Sequence, residues 1–424
     1  MNSLSARRLR KANREAVERI LASRPVLVGI RPAREVVPGM NERLFLHSGP
    51  PIQWSKMCGP VKGAAAGAMV YEGLANSVDK AFQRLDDGEI QFSPTHHHRA
   101  VSPMAGIVSP SMPVFVVRNK TFGNEAYCPI NEGVGRVKTL RFGANDAEVI
   151  QRLHWMEEKL APALDQACKT LGEIDLKLTM AEALRRGDEC HNRNKSATAI
   201  FFRTITPALL DSELDKKAIS SVLGFVGGND HFFLNLSMAA SKATMDSAHD
   251  IPSSTVVTAM TTNGVEFGIR VSGLGDEWFT APAPYQTRGK LFEGYSRKDA
   301  NPVFGDSYIS EPAGIGAFAM AASPAISEFV GSTPSFGIQL TRRMYKITLA
   351  KHTEFRIPYL NYEGTPTGIC LEKVVRTGIP PVVNTGVAHN MPGIGQIGAG
   401  IAKAPMACFR RAARRFKEKY GIEL

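Results

Sequence analysis

The chain has 424 residues, of which 43% are hydrophobic and 21% charged, with a formal net charge of +11 and a pI of about 9.4. This length and apolar content predict a globular protein of two or three domains and exclude a disordered or fibrous chain. The six cysteines lack C-x-x-C spacing, and there is neither an apolar leader nor a run of about 18 apolar residues. We therefore expect a cytoplasmic protein without a membrane span.

The basic residues lie mainly at the two ends, in Arg7–Arg14 and Arg410–Lys419. Glu15, Glu18 and Glu418 are mixed among them, which predicts amphipathic or solvated terminal helices. Because no basic stripe with interleaved aromatic residues accompanies the charge, we expect no nucleic-acid binding. Small anionic substrates or an acidic partner fit the charge better.

The first block of the chain alternates short apolar runs with Gly/Pro turns. Leu44–Leu46 and Val114–Val117 are typical of strands, and Val61–Ala75 predicts a closely packed helix. These features predict an N-terminal α/β domain over residues 1–145.

Two glycine-flanked sets of polar residues in this block are candidate anion-binding residues. Lys62 and Gly63 fall in the first turn of the predicted helix, where a lysine opposes the helix dipole unless an anion is held there. Asn131, Glu132 and Arg136 form the second set. Solvated turn residues are the structural alternative.

Three adjacent histidines, His96, His97 and His98, follow a proline. Neighbouring side chains on a strand point to opposite faces, so the three cannot all bind one metal ion. They are either hydrogen-bonded turn residues or neutral imidazoles that orient a substrate or move a proton. On the second hypothesis we assign a catalytic role to His97 and anion binding to His96.

Residues 146–250 have a helical pattern and predict a central helical insert. Asp146 is a predicted N-cap, and Asn229–Asp246 predicts a further helix with Asn229 or Asp230 as its cap. Apolar residues recur at spacings of four, three and four at Val149, Leu153, Met156 and Leu160.

Two polar stretches of the insert carry histidines. Gly187–Asn194 includes His191 and Arg193, which could reach a cleft but would not share a face of a helix. The ordinary explanation, a solvated helix start, is slightly preferred. Asn229–His231 has the same two explanations, since these residues could reach a cleft or could simply form the start of a helix.

The C-terminal block, residues 251–424, returns to a β pattern. Thr255–Met260 and Val265–Val271 flank Asn263-Gly264, a strong hairpin signal because both turn residues accept positive φ. Arg270 precedes a glycine-rich turn and is a candidate carboxylate or phosphate clamp, with a strand salt bridge as its alternative.

Further along, Asp306 and Glu311 could orient a cationic group such as Arg270, or could simply form turns. Five glycines then surround His389 and Gln396 in the segment 384–400, which contains no acidic side chain. Glycine lets main-chain N–H groups converge on an anion, so we predict an anion-binding loop. Its candidate residues are His389, Gly393, Gly395, Gln396 and Gly398. A flexible loop or a glycine packing seam is the alternative.

The combined pattern predicts a mixed α/β (α+β), multi-domain fold with a helical insert between two α/β domains. We expect the functional site in a cleft between the first and third blocks. No nucleotide-loop, serine-hydrolase, zinc-helix or kinase motif is present in the sequence, and we expect neither a cofactor nor a metal.

Several longer motifs, spread over almost the whole chain, carry a resemblance to a known family. They include L-H-S-G-P-P-I-Q-W at Leu46–Trp54, G-P-V-K-G-A at Gly59–Ala64, F-F-L-N-L at Phe232–Leu236, F-G-I-R-V-S-G-L-G from Phe267 and N-T-G-V-A-H from Asn384. In these motifs the chain resembles the YlbE/YahG-like family, which includes the AllG-type subunit of oxamate carbamoyltransferase of anaerobic allantoin and purine breakdown.

The resemblance implies a subunit that works beside an FdrA-like subunit, similar to succinyl-CoA synthetase, and a third small subunit. The implied reaction converts oxalurate and phosphate to oxamate and carbamoyl phosphate. For such a transfer we expect the glycine-rich segment with His389 to hold phosphate or the oxyanion, Arg270 to clamp the carboxylate, and Asn263 to polarise the ureido group. Isolated, the chain is expected to form a homo-oligomer.

Two other functions remain open from the sequence. The chain could be a structural or ligand-binding subunit whose partner performs the transfer. It could also be a stand-alone amidohydrolase with a histidine-bound metal.

Overall fold

The computed structural model describes residues 3–133 and 137–424, which form a mixed α/β protein. The strands are β1 (Pro25–Pro32), β2 (Leu44–His47), β3 (Gln91–Pro94), β4 (Pro113–Asn119), β5 (Glu125–Pro129), β6 (Ile174–Asp175), β7 (Val257–Asn263), β8 (Glu266–Val271), β9 (Phe279–Pro282), β10 (Arg288–Leu291), β11 (Phe304–Gly305), β12 (Thr348–Ile357), β13 (Glu363–Ile369), β14 (Val382–Ala388) and β15 (Gln396–Lys403).

The helices alternate with these strands but dominate the middle of the chain. They are α1 (Ser3–Ala22), α2 (Ala33–Val36), α3 (Gly59–Tyr71), α4 (Val78–Asp86), α5 (Ala147–Trp155), α6 (Ala161–Leu171), α7 (Leu176–Arg185), α8 (Lys195–Leu210), α9 (Lys216–Gly227), α10 (Phe232–Asp246), α11 (Pro324–Phe329), α12 (Pro334–Met344), α13 (Leu371–Thr377) and α14 (Met406–Tyr420). A single π-helical turn, Met156–Leu160, joins α5 to α6.

The strands form several small sheets rather than one large sheet. One antiparallel sheet has the order β5-β4-β1-β6, and a second has the order β11-β7-β8-β9. A three-stranded sheet, β10-β15-β14, and two strand pairs, β12-β13 and β2-β3, complete the set in the described part of the chain. This arrangement confirms the predicted fold class.

Helix α10 lies against β4, β5 and β1 and is buried along nearly its whole length. The largest apolar core joins all three sequence blocks, with Leu27, Phe232 and Ile315 among its members. The blocks therefore pack against one another. The domain bounds 1–145, 146–250 and 251–424 stay a prediction.

Local signals placed several elements correctly. Asp146 caps α5 by accepting a hydrogen bond from the Val149 N–H at 3.2 Å, and the hairpin β7–β8 turns at Gly264, whose φ is +88°. The predicted cap of α10 differs, because the residue before this helix is His231. Asn229 instead accepts the His231 N–H at 3.1 Å.

Much of the glycine-rich segment is sheet rather than loop, and anion binding by its residues stays a prediction. From Gln396 onward it is strand β15, paired with β14 on one side and β10 on the other. Its main-chain groups are therefore used in sheet hydrogen bonds. The glycines at 398 and 400 serve close packing, since a Cβ at Gly398 would lie 2.4 Å from the carbonyl oxygen of Lys290.

Both chain ends carry the amphipathic helices expected from their charge, α1 and α14, each buried along one face. Within the described residues, no helix combines the length and apolar character needed to cross a bilayer. The six cysteines are free thiols.

Candidate functional site

The structure distributes the residues singled out in the sequence over three separate places. The first is a polar cavity beside His191, here called the His191 cavity. The second is a set of buried bases around Arg270, the Arg270 cluster. The third is the turn between β14 and β15, residues 389–395.

The His191 cavity lies where the segment before α8, helix α10 and strand β14 approach one another, and it has a volume of about 40 Å³. Its walls come from segments far apart in the chain, as expected for a site at an interface between elements. The lining residues are Pro103, Met104, Arg141, Phe142, His191, Asn192, His231, Leu234, Ser307, Thr385, Gly386 and Gln396.

His191 is held by two carboxylates. Its Nδ1 donates to Oε1 of Glu311 at 2.9 Å, and its backbone N–H donates to Glu189 at 2.9 Å. Burial lowers the pKa of His191, but the charge and hydrogen bond of Glu311 and the charge of Glu189 together raise that pKa above its ordinary value. The two carboxylates therefore stabilise the imidazolium form of His191.

Glu189 and Glu311 differ in their surroundings. Burial raises the pKa of Glu189 to about 7, although it accepts hydrogen bonds from the backbone of His191 and Arg193. Glu311 Oε1 also accepts the Ala317 N–H at 3.1 Å. The carboxylate of Glu311 is thus fixed in place and orients the ring of His191.

His231 lines the same cavity, but its surroundings shift its pKa in the opposite direction. Its Nε2 lies 2.8 Å from the carbonyl oxygen of Asn192. A carbonyl only accepts, so Nε2 carries the proton and Nδ1 presents a lone pair. Burial, followed by the charge of Arg141, lowers the pKa of His231 to about 4, so this imidazole is neutral at pH 7.

Arg141 supplies a buried positive charge at the cavity wall. Its guanidinium donates to the carbonyl of Gly133, and its Nε has no protein partner among the described residues. Burial lowers its pKa to about 10, against the charge of Glu132, so it stays protonated at neutral pH. Glu132 accepts the N–H groups of Leu140 and Arg141 at 2.6 and 3.1 Å.

A second cavity, with a volume of about 30 Å³, adjoins the first through Pro103 and Arg141. Glu132 and Asn235 line it, and Asn235 accepts a hydrogen bond from Asn131 at 2.9 Å. Asn131 and Glu132 are thus hydrogen-bonded to protein groups at the cavity walls, and anion binding by them stays a prediction. Arg136, also a candidate, lies outside the described residues.

The Arg270 cluster contains His96, His97, Lys242, His249 and Arg270. The guanidinium of Arg270 lies 4.4 Å from the ring centre of Trp278 and pairs with Asp276 at 3.1 Å. Lys242 Nζ contacts Asp246 at 2.6 Å. Burial is the largest cause that lowers the pKa of His96, His97, Lys242, His249 and Arg270.

Asp306 does not pair with Arg270, contrary to expectation. Its carboxylate accepts the backbone N–H groups of Gly49 and Ser102, both at 2.9 Å, and the hydroxyls of Thr95 and Thr261. The side chain of Asp306 therefore links four segments of the chain, because each of its four hydrogen-bond donors lies in a different segment. Glu311 is likewise paired with His191 and not with Arg270.

Asp306 lies close to both of the first two places. The Thr95 that it holds is adjacent to His96 of the Arg270 cluster, whereas the next residue, Ser307, lines the His191 cavity. No residue of the Arg270 cluster lines the His191 cavity.

The turn at residues 389–395 gathers other sequence candidates into ordinary structural contacts. His389 Nδ1 accepts the Met391 N–H at 2.9 Å, and the N–H of Gly393 donates to Phe142 at 3.0 Å. The His389 N–H donates to the carbonyl of Gly395. These groups do not converge on one point, and none is shared with the Arg270 cluster.

Three further candidates, Lys62, Gly63 and Asn263, also lie against neighbouring groups of the protein. Lys62 contacts the carbonyl of Ser55 and the ring of Trp54, and a Cβ on Gly63 would meet the Gly143 carbonyl at 2.5 Å. Asn263 closes the hairpin by accepting the N–H groups of residues 265 and 266. Of the glycine-rich segment, Gln396 reaches the His191 cavity.

Comparison with known proteins identifies the family. The sequence profile described as "AllG: Oxamate carbamoyltransferase subunit AllG" matches residues 90–307. The chain is 47% identical over 417 residues to "Uncharacterized protein YahG" of Escherichia coli K12, covering 98% of this chain and 88% of that protein. It is 44% identical over 418 residues to "Oxamate carbamoyltransferase subunit AllG" of the same organism, covering 97% and 98%. The chain belongs to the AllG family.

A solved structure is similar over the same extent. "Crystal structure of a conserved protein of unknown function from Enterococcus faecalis V583" superposes with a TM-score of 0.95 at 44% identity, covering 97% of this chain and 98% of that one. The AllG profile spans His96, Arg141, His191, His231 and Arg270, and thus much of both polar sites.

The central residues of the His191 cavity were not among the sequence candidates for catalysis. His191 and His231 stand in short polar stretches that a helix start explains equally well, and Arg141 carried no motif. Lys242 offered a clearer signal, since a lysine inside the otherwise apolar run of α10 needs a buried partner. Within the described residues, no group of three or more His, Cys, Asp or Glu is arranged to hold a metal ion.

Proposed function

We propose that this AllG-family chain is the subunit of an oxamate carbamoyltransferase-type enzyme that carries the acid–base residues, and that the His191 cavity is where they act. The observation that carries the proposal is that His191 and His231 line one cavity and that their surroundings shift their pKa values in opposite directions, upward for His191 and downward for His231. Two titratable groups whose surroundings push their pKa values apart form an acid and a base. The name of the relative AllG supports the reaction class.

The reaction joins a phosphate oxygen to the ureido carbonyl carbon of oxalurate and breaks the bond from that carbon to nitrogen. The leaving nitrogen of oxamate needs a proton, because an amide anion is a poor leaving group. His191 is suited to donate this proton from Nε2, since Glu311 holds Nδ1. His231 Nδ1 is suited to accept the proton of the attacking phosphate.

Charge develops on the carbonyl oxygen during this transfer, and both substrates are anions. Arg141 brings a buried positive charge to the cavity wall, and its Nε has no other protein partner in the described chain. Asn192 Nδ2 is likewise buried without one. Such preoriented donors stabilise an oxyanion well because the surroundings exclude water.

We further propose that activity needs the FdrA-like subunit and the third small subunit, as in the complex that the family resemblance implies, in nitrogen catabolism from allantoin or related compounds. The isolated chain is then expected to bind ligand weakly. A purely structural subunit, with the reacting groups in a partner, is the competing function.

The test reconstitutes the chain with these partners and follows carbamoyl phosphate formed from oxalurate and phosphate. His191→Gln and His231→Gln should each abolish most of the turnover while the complex still assembles. His389→Gln is the matched control, because this imidazole does not line the His191 cavity and instead accepts a hydrogen bond within its own turn, beside Tyr295. Full activity in both cavity variants would assign the chemistry to a partner subunit.

A further inference from the structure

The Arg270 cluster is a second polar site that the proposed reaction does not use. We propose that it binds the carboxylate group of a small molecule, which takes the position held in this structure by the side chain of Asp276. The inference is independent of carbamoyl transfer, because no residue of the cluster lines the His191 cavity.

The cluster has more donors than the protein uses. Nε and Nη2 of Arg270 are buried donors without a hydrogen-bond partner among the described residues, and so is whichever ring nitrogen of the neutral His96 carries its proton, since neither nitrogen has a partner there. Oδ1 of Asp306 lies 3.7 Å from Nε2 of His96, which is beyond hydrogen-bond distance. Buried donors normally have partners, so this set favours an acceptor that reaches them from outside.

The neighbouring groups fix the direction of these donors. Trp278 Nε1 donates to Nε2 of His97 at 2.9 Å, so the neutral ring of His97 carries its proton on Nδ1. The guanidinium of Arg270 is stacked on Trp278 and keeps its planar fork in one orientation. A planar carboxylate is the ligand that such a fork matches.

The local charges favour a carboxylate over a phosphate dianion. Lys242 is balanced by Asp246, and Arg270 is balanced by Asp276. When a ligand carboxylate takes the place of the Asp276 side chain, the charge beside Arg270 is unchanged. A phosphate dianion would add a negative charge beside the buried Asp306, at a cost in desolvation.

Asp276 is suited to exchange with a ligand. Its side chain is 82% exposed, whereas that of Arg270 is 5% exposed. It also lies 3.2 Å from His249 and follows the Ser272–Gly275 turn, where Gly275 has a φ of +62°. An exposed ion pair of this kind contributes little stability, so its replacement costs little.

The experiment titrates the isolated full-length chain with oxamate as the probe carboxylate and follows both tryptophan fluorescence and heat. Asp276→Asn removes the carboxylate that competes with the ligand. The affinity for oxamate should therefore rise by about fivefold, which corresponds to the loss of an ion pair at the upper end of the usual range for surface pairs. Glu277→Gln is the matched control, because Glu277 is the next residue but pairs with Arg415 instead. It should leave the affinity unchanged.

Two further variants locate the binding. Arg270→Gln should abolish the fluorescence change, and Trp278→Phe should remove the signal while the heat of binding persists. If oxamate gives no Trp278 signal with either the original chain or Asp276→Asn, the proposal is overturned. The proposal is also overturned if the Asp276→Asn and Glu277→Gln variants bind oxamate with equal affinity. Because no partner subunit is present, a missing transferase activity would not affect these results.

Discussion

Nδ1 of His191 lies 2.9 Å from Oε1 of Glu311, although 120 positions of sequence separate the two residues. Both side chains are buried, and the carboxylate is also fixed by the backbone of Ala317. This pairing holds the imidazole in one orientation and favours its protonated form. A buried histidine without such a partner would instead be neutral, as His231 is.

Glu311→Gln should move the alkaline limb of the pH–rate profile of the reconstituted enzyme to lower pH. The charge of Glu311 raises the pKa of His191, so its removal leaves burial to lower that pKa. Because the acid form of His191 donates the proton, activity is lost as pH rises through this pKa. The profile of kcat between pH 6 and 9 tests the shift. Glu158→Gln, an exposed acid, is the control, and an unmoved limb in Glu311→Gln would contradict the assignment.

His231→Gln should lower kcat by about 10²- to 10⁴-fold, the usual contribution of a general base. In the original chain, nitrogen-15 NMR of the imidazole should show a neutral ring with its proton on Nε2 down to about pH 4. A ring that becomes protonated near pH 6.5 would rule out this environment for His231.

Glu189 should contribute stability that is lost as pH rises from about 4.5 to about 7. Burial raises the pKa of this carboxyl group from 4.5 to about 7, so between these two values it binds a proton in the folded state but not in the unfolded state. The stability that it contributes at the lower pH is therefore lost at the higher one. The difference in Tm between the original chain and Glu189→Gln should change across this window, whereas the difference between the original chain and Glu158→Gln should stay constant.

Asp306→Asn should lower the free energy of unfolding by about 2 to 4 kcal/mol, since an amide group would face donors that need an acceptor. The carboxylate accepts hydrogen bonds from Gly49, Thr95, Ser102 and Thr261, all buried. Urea unfolding measures the loss. Asp211→Asn, at an exposed helix end, should change stability by less than about 0.5 kcal/mol.

Gly49→Ala and Gly73→Ala separate the effect of space from that of backbone conformation. Both glycines have positive φ, +87° and +67°. A Cβ at Gly49 would lie 2.2 Å from the backbone nitrogen of Asn263, whereas nothing lies within 4 Å at Gly73. Gly73→Ala should cost about 1 to 2 kcal/mol, the usual penalty for this conformation. Gly49→Ala should cost more than about 4 kcal/mol, beyond the usual range for a substitution, and equal losses by thermal unfolding would contradict the steric argument.

Local information predicted much of the fold. The N-cap at Asp146 and the hairpin at Asn263-Gly264 depend on residues a few positions apart, and both were located correctly. The helical character of residues 147–246 followed from the spacing of apolar residues. Such signals do not depend on how the rest of the chain folds.

The sites depend on long-range pairing and could not be predicted in this way. The partner of Arg270 proved to be Asp276 rather than Asp306, because the turn after β8 brings Asp276 back over the guanidinium. Likewise, nothing near His191 in sequence indicates that Glu311 would face it. Residue type indicated which groups could do chemistry, but only the fold determined which of them meet.

Strand β15 illustrates how steric demand can be mistaken for chemistry. At Gly398 and Gly400 the neighbouring strand comes so close that a methyl group would collide with the carbonyl oxygens of Lys290 and Arg288. Selection would reject any larger residue there even in a protein with no substrate. Invariance of these two positions among homologues would therefore record the spacing of adjacent strands, and a mutational scan that found them intolerant would not have located an active centre.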